Sequence, residues 1–325
     1  MDALSSPLPC LKRAPVEYIG VHAPALETQR IGGIPSLEYA ATDAALLSQS
    51  APSVRISELI ALVKQTYALL HQESDLTPSN PLIAEAVSTL SRLVTQTYSP
   101  DEVQRVLKDT TIAPLRAGLL AKLSEAECLM ELFDSRRLHD QHDLSLAELR
   151  RYPNWDRYEA LVGAELELLA RLRRAGDAER PIVFVGSGPV PLSAVILHLQ
   201  EKVPVVCVDV DPAACESARL LLERVGLGEA IRVSQGDGAD FDYAPFRHVF
   251  VASLVTRKTH VLAQIRRTRA DALVAVRTAA GMRQLMYEAV DEQAMAFAGW
   301  RLLGRSSPRE RQVINSTLFY RLEHI

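Results

Sequence analysis

In the first half of the chain, apolar residues recur three and four positions apart, which is the spacing of one helical face. This pattern predicts an all-helical domain over residues 53–178. A capping box marks one helix start, because Ser99 and Glu102 can each bond the other's backbone N–H around Pro100. The predicted helices start at Ser53, at Asn80-Pro81 and at Ser99, and two longer ones run from about Pro114 to Leu138 and from about Trp155 to Ala175.

From residue 179 to residue 325 the pattern changes to short apolar runs separated by helical stretches. Such alternation is typical of an α/β fold with a doubly wound parallel sheet. The last two strand-like runs have no helix-length connection between them, so we predict that they form a C-terminal antiparallel hairpin. The predicted strands cover residues 182–185, 204–209, 231–234, 247–252 and 272–277, followed by the hairpin runs 300–304 and 313–320.

The first 52 residues do not fit either pattern. They contain scattered proline and glycine and no sustained periodicity. We therefore predict an irregular N-terminal arm over residues 1–52.

A glycine turn follows the first predicted strand directly. Gly186, Ser187 and Gly188 stand between an apolar run and a helical pattern, which is the order of the first unit of a nucleotide-binding fold. Gly186 allows a sharp turn, and Gly188 lets the backbone approach a ligand closely. The structural alternative is that Gly188 serves only close packing of helix against strand.

Two carboxylates extend this site along the edge of the predicted sheet. Asp209 ends the second strand, where a carboxylate can accept both hydroxyls of a ribose, and Asp237 follows the third. NAD and S-adenosylmethionine (SAM) both carry ribose and adenine. Pro189 and Pro191 remove backbone donors from the helix turn that would hold a pyrophosphate, and this favours SAM over NAD.

Composition and charge limit the partners. The 325 residues are 48% hydrophobic and 23% charged with a net charge of −4, so nothing draws the whole chain to nucleic acid or to an anionic membrane. There is no run of about 18 apolar residues and no signal-peptide pattern, and we expect a cytoplasmic protein. The four cysteines have no C-x-x-C spacing, and His139 and His142 do not complete a four-ligand zinc pattern.

Four segments, FVGSGPVPLS, DVDP, VASLV and VRTAAGMRQLMYEAV, occur in an order and spacing that resemble the nicotianamine synthase family. The resemblance covers roughly residues 76–295. It implies a helical domain that caps a SAM-binding Rossmann-like domain. It also implies that an amine attacks the γ-carbon of the methionine moiety, so that the 3-amino-3-carboxypropyl (aminobutyrate) group moves and methylthioadenosine leaves, as in metallophore biosynthesis.

The resemblance also assigns residues to the SAM pocket. It implies that Asp209 holds the ribose and that Asp237 holds the adenine. Val210 and Gly238, the residues that follow them, are further predicted cofactor-binding residues. The other residues that it places in the pocket are Gly186, Ser187, Gly188 and Pro189.

The family also carries a glutamate on the long helix of the helical domain and a tyrosine pattern like F-P-Y-Y-x-N-Y. Glu131 on the long helix is our predicted base and Tyr158 its partner, with Glu127 next in line. Here the tyrosine pattern reads YPNWDRY, which starts at Tyr152, a predicted substrate-binding residue, and departs from the family between its ends. Arg277 ends the fifth predicted strand, where it could bind a substrate carboxylate bidentately, although an ordinary ion pair is the structural alternative.

Three functions stay open on the sequence alone. The first is aminobutyrate transfer to a small-molecule amine, either SAM itself or an amino acid such as histidine, with no metal required for catalysis. The second is a SAM-dependent methyltransferase, since the same pocket serves both reactions. The third is a catalytically idle SAM or nucleotide sensor. A homodimer is an open alternative to a monomer.

Overall fold

Six helices precede the first strand in the computed structural model, which describes residues 52–306 and 315–323. The predicted arm therefore lies outside the described residues, apart from Pro52. The helices are α1 (Pro52–Gln72), α2 (Pro81–Val94), α3 (Pro100–Leu107), α4 (Arg116–His139), α5 (Leu146–Leu149) and α6 (Trp155–Leu172).

Local sequence explains where several of these helices begin. The Asn80 side chain accepts the N–H of Leu82 at the start of α2, as expected. At the start of α3, Ser99 and Glu102 form the complete predicted capping box. The predicted cap at Ser53 is wrong, because α1 begins one residue earlier, at Pro52, whose ring favours the first helical turn.

The second half of the chain forms a seven-stranded sheet in the order β3-β2-β1-β4-β5-β7-β6. The first five strands are parallel, and β7 pairs antiparallel with both β5 and β6, which confirms the doubly wound sheet with a C-terminal antiparallel hairpin. The strands are β1 (Ile182–Val185), β2 (Val205–Asp209), β3 (Ile231–Gln235), β4 (His248–Val251), β5 (Leu273–Thr278), β6 (Trp300–Arg305) and β7 (Ser316–Leu322).

Helices cover both faces of this sheet, so its central strands have no exposed face. All four residues of β1 are buried, and so are all four of β4. Asp211 caps α8 by accepting the N–H groups of Ala213 and Ala214, as its position before Pro212 predicts. The connecting helices are α7 (Leu192–Glu201), α8 (Pro212–Arg224), α9 (Lys258–Thr268), a 3₁₀ helix (Gly281–Leu285) and α10 (Glu292–Phe297).

Each face of the sheet has its own apolar core. On one face Phe184, Phe250 and Phe319 pack with the inner side of α6 and α7. On the other face the core is built from the alternate residues of the same strands, among them Val183 and Val249. This arrangement brings α4 and α6 to the carboxyl ends of β1 and β2, where the predicted site residues meet.

No helix among the described residues is long and apolar enough to cross a membrane. The described residues belong to one compact unit, so the predicted boundary between residues 178 and 179 stays a prediction.

Candidate active site

The glycine turn after β1 requires glycine at two positions. Gly186 has a φ of +79° and Gly188 a φ of +68°, a region in which side-chain-bearing residues are strained. A Cβ on Gly186 would also lie 2.5 Å from a methyl group of Val255, in the loop after β4. The turn therefore needs glycine both for its positive φ angles and for the close approach of Val255.

Asp209 at the end of β2 holds this turn. Its Oδ2 accepts the N–H of Gly188 at 2.8 Å and its Oδ1 accepts the N–H of Asp211 at 3.1 Å. Burial raises the pKa of this carboxyl, and the two backbone donors oppose the rise. Val210, the next residue, is an apolar side chain that is 69% exposed. The edge thus offers an acceptor beside a free apolar surface.

Ser187, between the two glycines, has an enclosed hydroxyl with no hydrogen bond to oxygen or nitrogen among the described residues. Only the thiol of Cys207, a weak partner, lies beside it. A buried hydroxyl of this kind is available to a polar group of a ligand. Pro189 follows as a buried residue.

Glu131 reaches this turn from the long helix α4. Its Oε2 would be 2.6 Å from a Cβ on Gly188, so the two groups are in contact because residue 188 has no side chain. The hydroxyl of Tyr158, from α6, lies beside the Glu131 carboxyl and favours its charged form. The structure thus brings together the predicted base, its predicted partner and the glycine turn.

A second acid lies one helical turn before Glu131. Tyr287, in the loop after the 3₁₀ helix, donates its hydroxyl to Oε1 of Glu127 at 3.1 Å. Desolvation raises the pKa of Glu127 to about 7. Desolvation, followed by the like charges of Glu127 and Asp209, raises the pKa of Glu131 to about 8. Both acids therefore change protonation state near neutral pH.

Tyr152 lies near the acids of α4. Its hydroxyl donates to Oδ2 of Asp134 at 2.8 Å, and burial together with that carboxylate raises its pKa far above the ordinary phenol value. Tyr152 is half-buried. Because its pKa is raised, its hydroxyl stays un-ionised at neutral pH. Its predicted contact with substrate stays a prediction.

Arg277 requires a correction. It is buried at the end of β5, where its Nε and Nη2 donate to the two carboxylate oxygens of Glu165 at 2.9 and 3.1 Å. Nη2 also donates to Ser193 at 3.0 Å. The predicted bidentate grip on a substrate carboxylate is therefore wrong, because Glu165 already occupies that edge of the guanidinium.

Asp237 and Gly238 lie at the carboxyl end of β3, at the same sheet edge. Oδ2 of Asp237 forms an ion pair with Arg257 at 2.6 Å, with both side chains partly exposed. A Cβ on Gly238 would lie 2.6 Å from a methyl group of Val185, so this glycine lets the loop pack against β1. The adenine contact predicted for this pair stays a prediction.

Two residues near the acids, Tyr287 and Arg157, were not predicted as site residues from the sequence. Tyr287 lies inside the segment MYEAV, and only its spatial approach to Glu127 shows its relevance. Arg157, next to Tyr158 on α6, is half-buried and close enough to Tyr287 for electrostatic interaction. Among the described residues it forms no ion pair. The sequence does single out Arg157 in one respect, because a charged residue stands there where the family's tyrosine pattern has asparagine.

This arrangement can accept a proton near neutral pH beside the glycine turn. A carboxyl with a raised pKa is a suitable general base when a neighbouring group stabilises its charged form, as Tyr158 does for Glu131. Within residues 52–306 and 315–323, no three His, Cys, Asp or Glu side chains form a group that could hold a metal ion.

Comparison with known sequences identifies one family. The family model described as "Nicotianamine synthase protein" matches residues 52–324. The chain is 29% identical over 277 residues to probable nicotianamine synthase 7 of Hordeum vulgare, covering 82% of each chain. It is 31% identical over 275 residues to nicotianamine synthase 1 of Oryza sativa subsp. japonica, covering 81% of this chain and 82% of the relative.

Solved structures support the same fold. MtNAS in complex with MTA and tNA superimposes with a TM-score of 0.69 at 21% identity, over 82% of this chain and 98% of the other. A variant of MtNAS in complex with S-adenosylmethionine gives a TM-score of 0.68 at 21% identity, over 81% and 98%. At this level of identity the likeness establishes the fold.

Proposed function

Because the chain belongs to the nicotianamine synthase family, we propose that it transfers the 3-amino-3-carboxypropyl group of SAM to an amine acceptor and releases methylthioadenosine. The observation that carries this proposal is the contact of the Glu131 carboxylate with the Gly188 turn. The pKa of this carboxyl is raised to about 8, and it lies close enough to the turn to take a proton from a substrate bound there.

The residues of the turn fit SAM as a substrate. The free hydroxyl of Ser187 and the backbone beside Gly188 suit the polar groups of its methionine moiety. Asp209 offers carboxylate oxygens for the ribose hydroxyls, and the exposed Val210 offers apolar surface for the adenine ring. The Asp237 carboxylate is the acceptor that we assign to the adenine amine.

The reaction requires that the acceptor nitrogen be held in line with the γ-carbon and the sulfur, and that one group accept a proton. The neutral nitrogen of the acceptor forms a bond to the γ-carbon, the carbon–sulfur bond breaks, and its electron pair stays on sulfur in methylthioadenosine. The proton of the nitrogen passes to Glu131, whose carboxylate form the Tyr158 hydroxyl stabilises. SAM already carries a sulfonium leaving group, so we propose that no metal is required for this catalysis. Holding the nitrogen in line with carbon and sulfur supplies most of the acceleration.

Glu127 and Tyr287 form a hydrogen-bonded pair next to the proposed base. When Glu127 is ionised, its charge adds to the rise in the pKa of Glu131. We assign to this pair the tuning of the base and the accommodation of the positively charged product amine.

The acceptor in this proposal is an amino acid or SAM itself, which also carries an α-carboxylate. Around the acids, the charge of Arg277 is matched by Glu165, whereas Arg157 has no acidic partner among the described residues. We therefore assign the acceptor carboxylate to Arg157 and part of the acceptor pocket to Tyr152. A product with several amine and carboxylate groups is a metal chelator, which is the metallophore role proposed here.

Mass spectrometry of purified protein incubated with SAM, alone and with single amino acids, tests the proposal. Methylthioadenosine together with an adduct heavier by one aminobutyrate unit is the expected result, and the adduct names the acceptor. S-adenosylhomocysteine with a methylated product would contradict it and establish a methyltransferase. SAM binding by calorimetry with neither product would contradict it and favour a sensor.

A further inference from the structure

Glu165 and Arg277 form an ion pair in the interior of the protein. The Glu165 side chain is 0% exposed and the Arg277 side chain 6% exposed. The pair is bidentate, with Nε–Oε1 at 2.9 Å and Nη2–Oε2 at 3.1 Å, so both its distance and its plane are fixed.

Three further elements of structure meet at this pair. Thr317 on β7 donates its hydroxyl to Oε1 of Glu165 at 2.6 Å. Arg277 on β5 donates to Ser193, in the first turn of α7, and its guanidinium lies 5.1 Å from the centre of the Phe184 ring on β1. Since α7 starts directly after the glycine turn, the pair connects α6 to the scaffold of the proposed SAM pocket.

The pair is also close to the proposed chemistry. Tyr158 and Glu165 are seven residues apart on α6, which places them on the same helical face two turns apart. The positive charge of Arg277 lowers the pKa of the Tyr158 hydroxyl, against the larger effect of burial. Tyr158 in turn favours the charged form of the neighbouring Glu131 carboxyl.

Stability alone does not explain this choice of residues. Burying two charges costs free energy of desolvation, and apolar residues of similar volume are often as stable or more stable in such places. A bidentate pair instead fixes one arrangement of the elements that carry it.

We propose that Glu165 and Arg277 are positioning residues that hold Tyr158, and through it Glu131, in register with the glycine turn. This inference rests on the proposed aminobutyrate transfer, since its main readout is turnover. Neither residue touches the reacting atoms in this proposal.

The test compares the double variant Glu165→Leu/Arg277→Met with both single variants and the wild type. Each single variant leaves a buried charge without its partner, so its melting temperature should fall clearly. The double variant should regain a melting temperature near that of the wild type and bind SAM within about threefold of wild-type affinity. Its kcat should remain about 100-fold lower, because a displacement of about 1 Å has an effect of this size. Wild-type kcat in the stable double variant would overturn the inference.

Milder variants keep the inference testable if the double variant does not fold. Thr317→Val and Ser193→Ala each remove one hydrogen bond from the pair and should lower kcat several-fold with little change in SAM affinity. Thr95→Val removes a comparable threonine hydroxyl bond at the end of α2 and is the control expected to keep wild-type kcat. Unchanged kcat in both milder variants would contradict the positioning role.

Hydrogen exchange separates this inference from the proposed function. If the wild type forms no methylthioadenosine, the proposed function fails, but the amides of α6 still report on the pair. Thr317→Val should then speed exchange in the first half of α6 while leaving α2 unchanged. Equal exchange in α6 for the wild type and this variant would show that the pair does not hold the helix.

Discussion

The carboxylate of Glu131 occupies the space that a side chain at position 188 would need, since Oε2 lies 2.6 Å from the Cβ that Gly188 lacks. One residue comes from the helical half of the chain and the other from the turn of the α/β half. The proposed base therefore reaches the proposed substrate pocket only because the pocket wall is bare at this point.

Replacing Gly188 with alanine should accordingly impair the site. The φ of +68° disfavours any side chain, at a cost of about 1–2 kcal/mol, and the new methyl group would displace Glu131. We expect kcat to fall about 100-fold, measured as methylthioadenosine release. The matched control is Gly163→Ala in α6, where an added Cβ meets nothing within 4 Å and activity should persist. Normal turnover of the Gly188 variant would show that the contact has no catalytic importance.

Turnover should depend on pH through the base. The pKa of Glu131 is raised to about 8, so the reactive carboxylate is scarce at low pH and increases as pH rises. We expect kcat/KM to rise with pH on an acidic limb centred at about 7 to 8, instead of near the ordinary glutamate value, because kcat/KM reports the free enzyme. Glu127→Gln removes a neighbouring like charge and should move this limb to lower pH.

Replacing Glu131 itself should separate binding from catalysis. Glu131→Gln should retain SAM binding by calorimetry and lower kcat by about 10²- to 10⁴-fold, the usual contribution of a general base. Glu125→Gln, on the exposed side of α4 in an ion pair with Lys122, is the control that should turn over normally. If the Glu131 variant is fully active, the base is a different group and Glu127 is the next to test.

Asp209 should matter for affinity. In Asp209→Ala the ribose hydroxyls lose a charged acceptor, and the Gly188 N–H loses its partner at 2.8 Å. Hydrogen bonds to charged groups contribute about 1.5–3 kcal/mol, so SAM affinity should fall roughly 10- to 100-fold in calorimetry. Glu216→Ala on the exposed side of α8 should leave the affinity unchanged. An unaltered dissociation constant for the Asp209 variant would defeat the assignment of the pocket.

Arg157 should select acceptors that carry a carboxylate. We expect the wild type to prefer an amino acid over the amine formed by its decarboxylation, and Arg157→Ala to lose most of that preference, about 10- to 100-fold in kcat/KM. Arg171→Ala, exposed on the same helix beside Glu167, should keep it. A preference that survives in the Arg157 variant would place the carboxylate elsewhere.

Much of the fold followed from the sequence, because it depends on neighbours in the chain. The first strand was predicted with its observed bounds, Ile182–Val185. A strand that is buried on both faces is apolar at every position, so its ends are easy to recognise in the sequence. The helix starts at Asn80 and Ser99 were predicted for a similar reason, as each side chain bonds a backbone group two or three residues away. The order of strand, glycine turn and helix predicted the position of a ligand pocket, and the four family segments predicted the family, which the family model confirms.

Only the tertiary structure decided which polar groups are partners. Arg277 was expected to face a substrate, but it is bound to Glu165, 112 positions away in the chain. Tyr287 donates to Glu127, which is 160 positions away in the chain, and the sequence around neither residue predicts this hydrogen bond. Periodicity fixes which side of a helix is buried, but it does not say which element will cover that side. The partner of a buried charge is set by how helices and sheet pack, and the raised pKa values of the site arise from that packing.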